Sequence, residues 1–213
     1  MDSFVDHVGD NETIKYEREH SSAGRRKLEQ ILGKEVQATK KFVDRNNKFL
    51  ISIPDGLIDD DRIVEIKCPM GCSKASMETL AKTEADFCLE ISTDGRLKLR
   101  EDHEYYYQVQ GHLNISRREL CYFVVWSPTE FHYQVVHRDQ HFWDVHMFPW
   151  LLDFYRFETF RRKILKFYLL NSGNTSSMIN GKFKMCQMMS FLRNLRSCGN
   201  GYGEMQMMRF QII

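Results

Sequence analysis

The sequence predicts an α/β fold, a mixed sheet of four or five strands flanked by helices. Three observations carry that prediction. Residues 120–126, LCYFVVW, form a continuous β-branched and aromatic run, the composition of a strand covered on both faces. Residues 62–68, RIVEIKC, alternate apolar and charged side chains, the period of a strand with two unlike faces. Between them, residues 101–115 place Tyr105, Val109 and Leu113 four apart, the period of a helix.

Taken in order, residues 1–20 are polar and acidic with few apolar anchors, and are expected to lack stable order. Residues 22–32 read as a helix, opened by a serine cap, carrying Leu28, Ile31 and Leu32 on one face and stopped by Gly33. Residues 35–43 read as a ragged strand. Asn46-Asn47 makes a turn, and residues 49–53 (FLISI) form a buried strand broken by Pro54-Asp55-Gly56. After an acidic loop, Asp59, Asp60 and Asp61, the RIVEIKC strand runs to Pro69-Met70-Gly71. The strands 48–53 and 62–68 are expected to pair as a hairpin at the sheet centre.

Residues 74–84 fit a short helix, and Asp94-Gly95 a turn. Residues 131–137 alternate and follow Pro128, so they should pair with LCYFVVW as a hairpin. Residues 139–170 are aromatic-rich and helical, with a break expected near Pro149. Residues 171–213 hold seven of the eleven methionines, with clustered Gly, Asn and Ser and no period. The chain thus divides into a polar segment 1–20, a folded domain 21–170 and a Met-rich tail 171–213.

The 213 residues suffice for one domain with a proper core. Thirty Lys and Arg against 29 Asp and Glu give a net charge of +1, which excludes a bulk polycation; contact with nucleic acid must use a local patch. No run of eighteen apolar residues exists, and the N-terminus lacks the apolar core of a secretion signal. No membrane span is expected, and an intracellular location is, nuclear in a eukaryotic cell. Of the six cysteines only Cys68 and Cys72 are close, and no second pair stands at zinc-ligand spacing. All six are read as thiols.

Three side chains carry chemistry. Asp55 stands where the FLISI strand breaks. Glu65 and Lys67, two apart on the next strand, point to one face while Val64 and Ile66 point to the other. Brought together, two carboxylates and a lysine suit phosphodiester hydrolysis. The carboxylates supply the hard oxygen ligands that Mg²⁺ prefers, with Mn²⁺ as an alternative ion. The metal activates water and holds the phosphate, and the lysine orients or deprotonates that water and offsets charge in the transition state. Taken alone, Asp, a gap and Glu-x-Lys is a weak motif; its place after a buried strand and before a helix strengthens it.

The residues around this trio resemble a known family. Residues 52–58 (SIPDGLI), 64–69 (VEIKCP), 105–111 (YYYQVQG) and 121–128 (CYFVVWSP) occur in that order and look like the YqaJ viral recombinase family. That family is similar to phage lambda exonuclease and belongs to the PD-(D/E)XK nucleases. The resemblance covers residues 35–160. It implies a restriction-endonuclease-like fold and a metal-dependent deoxyribonuclease, an exonuclease acting on duplex DNA ends in recombination or repair. It makes Asp55 and Glu65 the metal ligands, Lys67 the catalytic lysine and Gln108 the helix glutamine that supports the site. Periodicity already puts Gln108 on a stripe with Glu104 and His112. DNA is the implied partner. Phage-type relatives form a ring around DNA, which opens a homo-oligomer as an assembly for this chain.

The chain also departs from the family pattern. The arginine and Thr-Ala-Ser run that helps hold a 5′-phosphate is not found before residue 20. Ile53 stands where serine usually precedes Pro-Asp, and Ser21 where an upstream helix usually presents glutamate, with Glu19 nearby. These departures motivate an alternative function, a catalytically impaired nuclease-derived module that binds DNA or a partner. Remaining candidates have plainer readings. His132, His137, His141 and His146 do not share one helix face and are read as surface or core residues. Arg117-Arg118, Lys40-Lys41 and Arg161-Arg162-Lys163 are DNA-phosphate candidates or solvated faces. Trp126 and the aromatics of 142–160 are read as core.

Overall fold

The computed structural model describes residues 12–171 and 211–212. Residues 1–11 and most of the Met-rich tail, with the thiols expected at Cys186 and Cys198, lie outside the described residues. The central sheet has the order β3-β4-β7-β8. Strand β3 (Gly56–Ile58) runs antiparallel to β4 (Arg62–Lys67), β4 parallel to β7 (Leu120–Trp126), and β7 antiparallel to β8 (Phe131–His137). A mixed α/β fold is what the sequence predicts, and the strands over 62–67, 120–126 and 131–137 lie where expected.

The hairpin partner of β4 is a correction. It is β3, not the FLISI strand. Pro54 has no N–H to donate, so the chain breaks there and restarts at Gly56. The acidic residues 59–61 are the turn that joins β3 to β4, with Asp59 in the left-handed region at φ 54°. FLISI supplies β2 (Leu50–Ser52), which pairs instead with β1 (Phe42–Val43) on one side and with Gln211–Ile212 on the other. The ragged strand expected over 35–43 reduces to β1 and one bridge, Gln37 to Leu57. The turn between β1 and β2 is held by Asp44, whose Oδ1 accepts from the amides of Asn46 and Asn47.

Helix α1 (Glu12–Leu32) covers one face of the sheet, across β4 and β7. It begins ten residues before the expected start, so residues 12–20, expected to lack order, are helical. Tyr16, His20, Gly24, Leu28 and Leu32 recur every four residues, and Tyr16, Leu28 and Leu32 pack with Val64, Ile66, Tyr122 and Val124. Gly24 sets the close approach: a Cβ there would lie 3.0 Å from Ile66 Cγ2 and 3.2 Å from Trp126 Cβ. Gly33, at φ 63°, ends the helix as expected.

The opposite face carries α3 (Glu104–Ser116), buried continuously from Gln108 to Ile115. Its Val109 and Leu113 join Ile63, Cys121, Phe123 and Val125 of the sheet in the larger core. A short helix α2 (Met77–Thr83) and a hairpin of β5 (Leu89–Ile91) and β6 (Leu97–Leu99) close one side of this core. The turn at Asp94-Gly95 is where the sequence puts it; the two flanking strands were not anticipated. After β8 the chain enters α4 (Gln140–Phe142), a wider π turn over Trp143–Met147, and α5 (Phe148–Asn171). The π turn is the expected break near Pro149, whose ring nitrogen cannot donate to the preceding turn. Trp143 is core, whereas Trp150 and Phe160 are exposed, contrary to the reading of 142–160 as core throughout.

Candidate active site

Alternation along β4 sets the site. Ile63, Glu65 and Lys67 face α3, while Val64 and Ile66 face α1. In register with β7, Glu65 lies beside Phe123 and Lys67 beside Val125, deep in the sheet. Glu65 and Lys67 are accordingly 1% and 4% exposed. Opposite them, α3 presents Gln108 and His112, one turn apart and both buried. A solvent-facing Gln108 is thereby excluded.

Lys67 Nζ donates to Gln108 Oε1 at 2.8 Å and lies 3.0 Å from Glu65 Oε1. It also sits over the Tyr105 ring, 4.3 Å from its centre. His112 Nε2 lies 3.4 Å from Glu65 Oε2, and its Nδ1 is 2.7 Å from Ser52 Oγ. Burial alone would raise the Glu65 pKa. The charge on Lys67 and the imidazole of His112 outweigh it and hold that carboxyl down at about 2. Both Glu65 oxygens are nonetheless shut from water without a well-aligned hydrogen bond; their neighbours at 3.0 and 3.4 Å are ion-pair contacts.

Asp55 is held differently. Its Oδ2 accepts from the Ile66 amide at 2.8 Å, one peptide from Glu65, so a side chain continues the pairing that β3 begins at Gly56. Its carbonyl accepts from Arg25 Nη2 at 2.7 Å. Asp55, Arg25, Ser21, Ser22 and Ile66 line a cavity of about 220 Å³ under α1. Glu65, Lys67 and Gln108 therefore form one buried cluster, with Asp55 tethered to the backbone at its margin. Ser52, His112 and Arg25 were not singled out for the site by sequence. The signal for His112 was its stripe position four residues after Gln108; nothing local announces Ser52, its partner sixty residues away.

Two hard carboxylates, one of them buried with unfilled oxygens, are a donor set that fits Mg²⁺, which is commonly held by one or two carboxylates and completed by water. Among the described residues no three His, Cys, Asp or Glu side chains form a ready-made cage, and the histidines at 132–146 build none. Cys68, Cys72, Cys88 and Cys121 are buried thiols, as read from sequence. Burial and the Glu65 and Asp55 charges push the Cys121 thiol far up, so it is no nucleophile.

Among solved structures, this chain is similar to an alkaline exonuclease, LHK-Exo, from Laribacter hongkongensis, at 19% identity, a TM-score of 0.54 and coverage of 74% of this chain and 76% of that one. The LHK-Exo structure in complex with dAMP matches at the same identity and coverage, with a TM-score of 0.55. The chain thus shares the fold of these exonuclease structures. No curated protein matches the chain. Among described residues, no helix is long and apolar enough to cross a membrane. A family model described as the YqaJ-like viral recombinase domain matches residues 7–119, reaching upstream of the four motifs to include all of α1. The chain belongs to the YqaJ-like viral recombinase domain family.

Proposed function

We propose that the chain is a Mg²⁺-dependent deoxyribonuclease, an exonuclease on duplex DNA ends in recombination or repair. The observation that carries this reading is Lys67, held between Glu65 and Gln108 in a buried cluster bordered by Asp55. Family membership supports it, as does likeness in fold to an alkaline exonuclease whose structure holds a mononucleotide. Asp55 and Glu65 would hold Mg²⁺, or Mn²⁺ in its place. Such a metal, when bound, supplies charge neutralisation at the phosphate and acidifies water.

The protein's own residues do the rest. Lys67 Nζ has three protons, and the contacts with Gln108 and Glu65 fix its direction. It offsets negative charge on the phosphoryl oxygens and orients the attacking water. Gln108 positions Lys67 rather than touching substrate, and His112, propped by Ser52, orients Glu65. A homo-oligomer around the DNA is the assembly this reading allows.

The test is degradation of linear duplex DNA in Mg²⁺, with and without a 5′-phosphate, by wild type and Lys67→Ala. Wild type should release mononucleotides, and the variant should lose at least a hundredfold in rate, the scale of one positioned charge in a transition state. Folded wild type that leaves DNA intact would instead assign the chain to the impaired DNA-binding module. Dependence on the 5′-phosphate shows whether end recognition survives the departures at Ser21 and Ile53.

A further inference from the structure

A second cavity, of about 420 Å³, opens at the C-terminal end of α3, apart from the Asp55 cavity. Its lining is strongly polar: Asn46, Asn47, Asn114, Arg117 and Arg138, with Trp143 as an aromatic wall. Most of its charges are already engaged. Arg138 Nη2 binds Glu119 at 2.7 Å, Asp44 Oδ1 takes up the turn amides, and Asp144 Oδ1 accepts from Gln140. Two groups are not. Asn114 is 7% exposed; its Nδ2 donates to the Gln110 carbonyl, and its Oδ1 is buried with no partner among the described residues. Arg117 is exposed and makes no ion pair among the described residues.

Arg117 also holds a costly backbone. It caps α3 in the left-handed region at φ 58°, a position where glycine is the usual residue. Keeping arginine there strains the chain and puts a cationic residue in the cavity lining. The turn that lines the far side, Arg45-Asn46-Asn47-Lys48, adds two exposed cations that pair with no carboxylate among the described residues.

We propose that this cavity is a DNA-contact site outside the catalytic cluster, taking one nucleotide of a substrate strand with its phosphate on Arg117. The volume suits a ligand of that size. Asparagine amides complement base edges, and a guanidinium grips phosphate. The proposal rests on the nuclease reading for its choice of DNA.

The substitution Arg117→Gly tests it, because glycine relieves the backbone strain while removing the charge. Binding of a fluorescent duplex with a single-stranded overhang is followed by anisotropy in EDTA, where cleavage stops, over a series of salt concentrations. Melting is followed in parallel. Arg117→Gly should melt higher than wild type yet bind roughly five- to tenfold more weakly, with the salt slope reduced by about one. Asn46→Ala, which keeps the backbone turn, should weaken binding less, and Lys82→Ala on α2, at an exposed lysine paired with Glu78, should not change it. Equal binding by Arg117→Gly and wild type at every salt concentration overturns the proposal, as does weaker binding accompanied by a lower melting temperature. Weaker binding by the variant, beside a folded wild type that degrades no DNA, would keep this site and remove the nuclease reading. Active wild type with unaltered binding in the variant would do the reverse.

Discussion

The two faces of β4 are built from one strand and obey opposite rules. Toward α1, Val64 and Ile66 meet Leu28, Tyr122 and Val124 in a dry layer, with Gly24 bringing the helix within contact distance. Toward α3, Ile63 is ordinary core, but Glu65 and Lys67 carry charge into equal depth. The first face stabilises the fold by burying apolar area. The second could have been apolar too, and a buried ion pair is weak evidence for stability, since desolvation offsets its attraction. The contrast teaches where to look for chemistry: at the residues whose burial the fold does not need.

The sharpest way to break the comparison is to remove one partner of the charged pair. Glu65→Ala leaves Lys67 buried without its counter-charge and should lose about 3–5 kcal/mol in chemical denaturation. The double variant Glu65→Leu, Lys67→Met should regain most of that stability, or exceed wild type, while remaining inactive on DNA. A double variant no more stable than Glu65→Ala would mean that the pair is a structural element after all.

On the other face, Leu28→Ala should lose about 2–5 kcal/mol through cavity formation, read from the same unfolding curves. Its activity per folded molecule should stay at the wild-type level, because Leu28 packs with Val64, Ile66, Tyr122 and Val124 on the other face of β4. A collapse of activity with the fold retained would join the two faces functionally and erase the distinction.

The smallest effect near neutral pH concerns acid. The Glu65 carboxyl is held at about 2 against an ordinary 4.5, so its contribution is fully present above about pH 4.5. That contribution is lost as pH falls from 4.5 toward 2, where protonation removes the charge that Lys67 and His112 face. The double apolar variant should therefore unfold less steeply with acid over that window. Parallel acid limbs for the two proteins would show that other carboxylates govern it.

Much of this was legible in the sequence, for identifiable reasons. Strand β7 announces itself as a continuous β-branched and aromatic run, β4 and β8 by alternation of side-chain type, and α3 by Tyr105, Val109 and Leu113 four apart. The same alternation put Glu65 and Lys67 on one face. Strand β3 was hidden: three residues between Pro54-Asp55 and an acidic loop are too few to show any period, and the hairpin was assigned to FLISI instead. The first half of α1 was missed because its stripe runs through Tyr16, His20 and Gly24, and a glycine contact reads as no contact in sequence. His112 shares the Gln108 stripe, but Ser52 escapes because a hydrogen bond spanning sixty residues leaves no local trace.

Asp55 has a consequence for how the molecule behaves as a whole. Its carboxylate serves the sheet, by holding the Ile66 amide, at the position from which it would serve a ligand. Any occupant that draws that oxygen away hands the amide to solvent, so occupancy and fraying at the end of β3 are one event seen from two sides. The edge of the sheet is thus a built-in gauge, and the Ile66 proton is its needle.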